Sequence, residues 1–381
     1  MPSYRTALLA GLAALLSTLA PAFAASTPQD NRLAFERDVD ALLQGYVTKQ
    51  DWAGNVAIVY DGRRIVRAAY GVGDRTWQIA TPLDAVYRVG SVTKMFTSVT
   101  VLQLVQAGQM SLEASVRTYL PDLPPAWQPV TIRHLLTHTS GASEYMSSTN
   151  SFRTLMRVER TPQAVLALVQ DRPLRFAPGS KYEYSNTNYV ALGMIVEKLT
   201  GKPYADVIES RFLRPLGMTH SGYFDYTRIV PALVPGYLRE DGRLQNMFHI
   251  APSMLYAAGN LYSTIDDLLL WDRALHDADA LGLSPALRDE MFRDQGHGYG
   301  LGAFVEKIEG ETAVGHGGTL PGYQLGYERF TRLPLTVLVL TNTSPIDVDK
   351  MARDLAKLFF KHCGTTAPAA QCDLATPAPG R

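Results

Sequence analysis

The chain has 381 residues, 46% of them hydrophobic, and its 36 basic and 36 acidic side chains balance to a formal net charge of zero. That length suits one large domain or two. The neutral balance, with no basic tract, weighs against a nucleic-acid partner or a polybasic membrane role.

At the start, Arg5 precedes an apolar run from Ala7 to Leu19 that is too short to span a bilayer. Ala22-Phe23-Ala24 follows in the A-x-A pattern of a cleavage site, so residues 1–24 read as a signal peptide and the mature chain is expected to begin at Ala25. No cysteine follows that site to carry a lipid, and no later run is long enough to be a stable membrane span. The expected location is periplasmic or secreted.

Phe35, Val39, Leu42, Leu43 and Tyr46 have helical spacing within residues 31–48. Residues 55–60 and 64–70 read as strands joined at Asp61-Gly62, a hairpin turn signal. Gly71-Val72-Gly73 lacks the strand-to-helix context of a dinucleotide-binding loop and reads as a turn. Gly90-Ser91-Val92-Thr93-Lys94 comes next, and the run behind it, Met95 to Val105, is apolar on most sides, as in a buried helix. Ser91 falls where that helix begins. Lys94 is three residues on, which stacks the two side chains on one face about one turn apart. Unpaired N–H groups and the positive end of the helix dipole lie beside Ser91. A nucleophile and its proton acceptor need such an arrangement, although the same four residues also suit an ordinary helix cap.

Four prolines keep residues 121–129 irregular, and residues 131–136 resume a helical pattern. His134 and His138 are four apart, but no Glu stands at the H-E-x-x-H position and no third ligand is near, so no metal is expected. Helical patterns over 166–169, 189–199 and 206–213, and another behind Ser263-Thr264, make the middle of the chain, roughly 92–290, mainly helical. Tyr184-Ser185-Asn186 precedes one of these helices. In an extended segment residues 184 and 186 point the same way. A phenol able to relay a proton and an amide able to hold a substrate amide would then share a cleft. A loop tyrosine and a helix-capping asparagine are the plainer reading.

Strands are expected at 299–308, 312–315, 323–330 and 335–341, the last apolar enough for a sheet centre, with a closing helix over 348–359. Gly315-His316-Gly317-Gly318-Thr319 sits at a strand end, where glycines let a ligand approach the backbone. An N–H exposed there, with that of Ser91, suits a developing oxyanion. Cys363 and Cys372 flank a loop-like stretch and are expected to bridge in an oxidising compartment, a bond worth about 2–3 kcal/mol. The implied architecture is α+β. An antiparallel sheet is built from both chain ends (about 31–90 and 297–362) and a helical region (about 91–296) is inserted between. Residues 25–381 form one unit, with Ser91 at the seam.

Three elements in order, Ser91-Val92-Thr93-Lys94, Tyr184-Ser185-Asn186 and His316-Gly317-Gly318, resemble the serine β-lactamase and penicillin-binding family. Their wide spacing is similar to that of its class C β-lactamase-like branch, which includes DD-peptidases, D-aminopeptidases and esterases. The stretches from His134 to Gly141 and from Gly259 to Trp271 resemble that branch too, and the likeness runs from about Leu33 to about Phe359. It implies a β-lactamase/transpeptidase-like fold with the site between a sheet region and a helical domain. It also implies that Ser91 attacks an acyl carbonyl to form an acyl-enzyme, with Lys94 and Tyr184 sharing the proton work. Asn186 would orient the substrate amide, and the backbone N–H groups of Ser91 and Thr319, beside Gly318, would form the oxyanion hole. No cofactor or metal is implied.

β-Lactamases of the branch carry Lys where this chain has His316, which is charged only part of the time near neutral pH. The expectation is therefore an exported serine hydrolase acting on an amide or ester. A D-Ala-D-Ala carboxypeptidase or D-peptidase comes first, on a short D-peptide of the peptidoglycan-derived kind, and an esterase next. The alternatives are a class C-type β-lactamase and a non-catalytic penicillin-binding or cell-wall protein.

Overall fold

The computed structural model describes residues 28–146 and 152–364, with Cys372 and Leu374. The expected signal peptide, residues 1–24, lies outside the described residues. Helix α1 (Pro28–Gln50) buries Phe35, Val39 and Leu43, the spacing that marks one helical face. Strands β1 (Gly54–Tyr60) and β2 (Arg63–Tyr70) follow, joined at Asp61 and Gly62 with φ of 51° and 70°. Positive φ at both positions is the two-residue turn whose twist matches a hairpin.

Strand β3 (Val86–Arg88) leads through a single 3-10 turn at Gly90–Val92 into helix α2 (Thr93–Gln106). The inserted region then supplies helices α3 (Asn186–Thr200) and α4 (Pro252–Gly259), strand β4 (Leu261–Thr264) and helix α5 (Ile265–His276). The chain returns with β5 (Phe304–Ile308), β6 (Glu311–Gly315), β7 (Gly318–Leu320), β8 (Tyr323–Phe330) and β9 (Leu335–Thr341). Helix α6 (Val348–Cys363) closes it, and Cys363 is disulfide-bonded to Cys372.

The main sheet runs β5-β6-β8-β9-β1-β2, with β7 on β8. Every pairing in it is antiparallel, and β1 against β9 joins the two chain ends. Alternate residues of a strand face opposite sides. Val56, Ile58, Val337 and Val339 pack with residues of α1 and α6, whereas Ala57, Leu338 and Leu340 belong to the core of the helical region. Both faces are covered, and this is why β9 reads as an unbroken apolar run.

Two expectations are corrected. The middle of the chain is less purely helical than its periodicity suggests: β4 pairs with β3 and with Gly222–Tyr223, and a second small hairpin forms from Tyr237–Glu240 and Arg243–Asn246. Strands of two to four residues are too short to leave an alternation signal. The strand expected from residue 299 begins at Phe304, because positive φ at Gly298 and Gly302 folds Tyr299 back into a bridge with Phe304.

Helix α2 is buried on nearly every side. Phe96 stacks on Trp271 of α5 at 3.8 Å between ring centroids, and Phe212 meets it edge-on at 6.0 Å. The hydroxyls of Thr97 and Thr100 bond back to the carbonyls of Thr93 and Phe96, which lets polar residues sit inside such a helix.

Candidate active site

The turn carrying Ser91 is pressed between α4 and β7. A Cβ on Gly318 would fall 2.0 Å from the Val89 carbonyl oxygen, and one on Gly90 would lie 3.1 Å from the Thr319 amide nitrogen. Gly90 also has φ of 54°. Only glycine permits strand and turn to meet this closely, and the contact brings the backbone of Thr319 beside that of Ser91.

Lys94 stands one helical turn beyond Ser91, as the spacing of the two residues requires. Its Nζ donates to Ser91 Oγ at 3.1 Å, to Asn186 Oδ1 at 2.8 Å and to the Ala258 carbonyl at 2.7 Å. Asn186 reaches it as the first residue of α3, not from an extended segment shared with Tyr184. The Ala258 carbonyl is free to accept because it lies in the last turn of α4, which ends at Gly259 after an irregular residue, Tyr256, with φ 38° and ψ −129°. The carbonyls of Ala257 and Ala258 accept from Thr97 and Lys94 of α2. Tyr184 Oη donates to Ser91 Oγ at 2.8 Å from the other side.

Burial sets the charge states. Lys94 has no exposed surface, and loss of solvation lowers its pKa to about 7, with the charge of Glu144 pulling the other way. Glu144 accepts from the backbone N–H of Asn186 and of Met146. Burial raises Tyr184 well above the usual phenol range, opposed by its hydrogen bond to Ser91, so at neutral pH it is a phenol.

His316 is 2% exposed. Burial and then the charge of Lys94 hold its pKa down to about 3. Its Nδ1 donates to the Gly317 carbonyl at 2.6 Å and its Nε2 accepts from Tyr299 Oη at 3.0 Å. The imidazole expected to be charged part of the time is therefore neutral.

Ser91, Tyr184, Asn186, His316 and Thr319 line one cavity of about 570 Å³. Lys94 lies beneath it, and Gly318 contributes backbone behind it. All seven sequence-predicted site residues thus gather at one place. The same cavity is lined by Glu306, Glu328 and Asp349 with Arg353, whose guanidinium is 3.6 Å from Glu306.

Glu144, the Ala258 carbonyl, Tyr299 and Phe304 escaped sequence reasoning, because each reaches the site from an irregular loop, a kinked helix or a strand edge. His134 is spent on a helix-capping box with Thr131. His138 turns toward Ser185. Among the described residues no group of three potential metal ligands occurs, and no helix is long and apolar enough to cross a membrane.

This fold, with a buried lysine and a phenol converging on one serine, defines a serine hydrolase. The chain belongs to the Beta-lactamase family, whose family model matches residues 39–359. It is 30% identical to Esterase EstB of Burkholderia gladioli, over 80% of this chain and 90% of that protein. It is 27% identical to the putative penicillin-binding protein PbpX of Bacillus subtilis, over 80% of this chain and 73% of that one. Among solved structures, the octameric penicillin-binding protein homologue from Pyrococcus abyssi matches with a TM-score of 0.77 at 26% identity, covering 86% of this chain and 77% of that one. A D-stereospecific amidohydrolase from Streptomyces matches with a TM-score of 0.73 at 26% identity, covering 87% and 99%.

The contact of β7 with the Ser91 turn yields a prediction. Gly318→Ala should displace Thr319 from Ser91 and slow reaction of Ser91 with a fluorophosphonate by about 10²-fold, the scale of losing one oxyanion donor. Labelling at the wild-type rate by a folded variant would count against this contact being needed.

Proposed function

We propose that the protein hydrolyses esters or amides through an acyl-enzyme on Ser91, and that its substrate ends in a neutral group where a β-lactam or a D-Ala-D-Ala peptide carries a carboxylate. The carrying observation is the uncharged, buried His316. Arg353, the one cation lining the cavity among the described residues, is paired with Glu306 beside Glu328 and Asp349, so no free positive charge awaits a carboxylate. The likeness to an esterase and to a D-stereospecific amidohydrolase supports the same substrate classes. D-Amino-acid amides and short-chain esters are therefore preferred over carboxypeptidase substrates, and β-lactams come last.

The charge states divide the chemistry. Lys94, with a pKa near 7, is in part an amine at neutral pH and takes the Ser91 proton as Oγ attacks the carbonyl carbon. Tyr184 stays protonated and donates to the leaving group, to be restored from Lys94. The N–H groups of Ser91 and Thr319 receive the carbonyl oxygen as it gains charge. Asn186 holds Lys94 and the substrate amide on one face.

A panel of p-nitrophenyl esters, D-amino-acid amides, D-Ala-D-Ala peptides and nitrocefin tests the substrate assignment. Turnover should favour the first two, and Ser91→Ala should abolish it throughout. Faster turnover of nitrocefin or of the D-Ala-D-Ala peptide would overturn it.

A base must be deprotonated to act, so kcat/KM should fall as pH drops through the Lys94 pKa, giving an acid limb centred near pH 7. An acid limb below pH 5 would exclude Lys94 as the base.

Export is proposed as well. It is supported by the pattern from Arg5 to Ala24 and by the disulfide between Cys363 and Cys372. N-terminal sequencing of the protein from its native cell should read from Ala25, and a chain still beginning at Met1 would contradict it.

A further inference from the structure

Tyr184 lies in a stretch, residues 181–185, that belongs to no helix or strand. Its hydroxyl must nevertheless stay in hydrogen-bond reach of Ser91 Oγ, because a misplacement of about 1 Å costs on the order of 10²-fold in rate. Something other than a sheet ladder holds it.

We propose that His138 is the positioning residue of Tyr184, gripping the residues on either side of the tyrosine with its carbonyl and its ring while the ring packs against the phenol. The Glu183 N–H donates to the His138 carbonyl at 2.9 Å, and the Ser185 N–H donates to His138 Nδ1 at 3.1 Å. Ser185 is extended, with φ −143° and ψ 120°. In an extended chain the N–H groups of residues two apart point the same way. One residue thereby supplies both acceptors that a neighbouring strand would offer. It does so from φ of 57°, a left-handed conformation uncommon outside glycine.

The ring is arranged for holding, not for proton transfer. Ser140 Oγ donates to Asn188 Oδ1 at 2.7 Å, which leaves Asn188 Nδ2 facing His138 Nδ1 at 3.4 Å. Nδ1 thus meets two N–H groups, so the ring proton sits on Nε2, which has no hydrogen-bond partner among the described residues. The ring lies 4.2 Å from that of Tyr184, 4.9 Å from Tyr299 and 5.2 Å from Tyr189 between centroids. Burial, followed by the charge of Lys94, keeps it neutral. It does not line the cavity, so it acts through its neighbours, and of these Tyr184 is the one that touches Ser91.

The assignment rests on the acyl-transfer roles proposed for Ser91 and Tyr184, and its test separates the two. Acylation would be followed by the burst with a p-nitrophenyl ester in wild type, His138→Ala, His138→Asn, Tyr184→Phe and the double variant His138→Ala/Tyr184→Phe. His138→Ala should lower the maximal burst rate constant by about 30-fold or more, leaving the ester concentration that half-saturates the burst rate within about 3-fold. Asn tolerates left-handed φ and sets an acceptor near the place of Nδ1, so His138→Asn should recover to within about 5-fold of wild type.

In the Tyr184→Phe background, loss of His138 should cost no more than about 2-fold, since the group it positions is already gone. The full His138→Ala effect persisting in that background would overturn the proposal, as would wild-type acylation by His138→Ala. Should the alanine variant fail to fold, His138→Gln, whose amide sits one bond further out, must be clearly slower than His138→Asn; equal rates would also overturn it. Wild-type acylation by Tyr184→Phe would instead sink the tyrosine's own role, a failure read on a chain with His138 intact.

Discussion

Lys94 is a cation placed where water cannot reach it, and the rest of the site is arranged around that fact. Taking an ammonium out of water costs several kcal/mol unless acceptors replace the lost solvation. Three do so here, each from a different part of the chain: the Ser91 hydroxyl from the turn before α2, the Asn186 amide from the start of α3, and the Ala258 carbonyl from the last turn of α4. These replace solvation in part, and the residual penalty is what lowers the lysine pKa to about 7. Burial and reactivity are one constraint. A solvated lysine at the same position would keep its proton at neutral pH.

The same buried charge shapes its surroundings. His316 and His138 both face it, and both are held neutral by burial with the lysine's charge adding to the effect. His316 is held between the Gly317 carbonyl and Tyr299.

Much of the architecture was legible before any coordinates. The helix at 31–48, the Asp61-Gly62 hairpin, the apolar run of β9 and the buried helix behind Ser91 all carry periodic or turn signals that local sterics enforce. What was not legible came from segments too short or too irregular to have a period. β4 and the two short strands that pair with it leave no signal for that reason, and Asn186 opens a helix where an extended segment was expected. Ala258 contributes a main-chain carbonyl from the last turn of α4, which no side chain in the sequence marks. The sequence offers His138 as half of a possible metal pair and as part of the family-like stretch from His134 to Gly141, and nothing local says that its carbonyl and ring would both face residues 183 and 185.

By itself the sequence determined which groups could react. Ser91 and Lys94 lie three residues apart on a helix too apolar to be exposed, and helical geometry alone brings their side chains together. It also determined that His, not Lys, begins the Gly-rich stretch at 316. Only the tertiary structure decided the state of those groups, because a pKa depends on solvent access and on charges brought close by the fold. That is how an ordinary lysine comes to titrate near pH 7 and a histidine stays uncharged beside it.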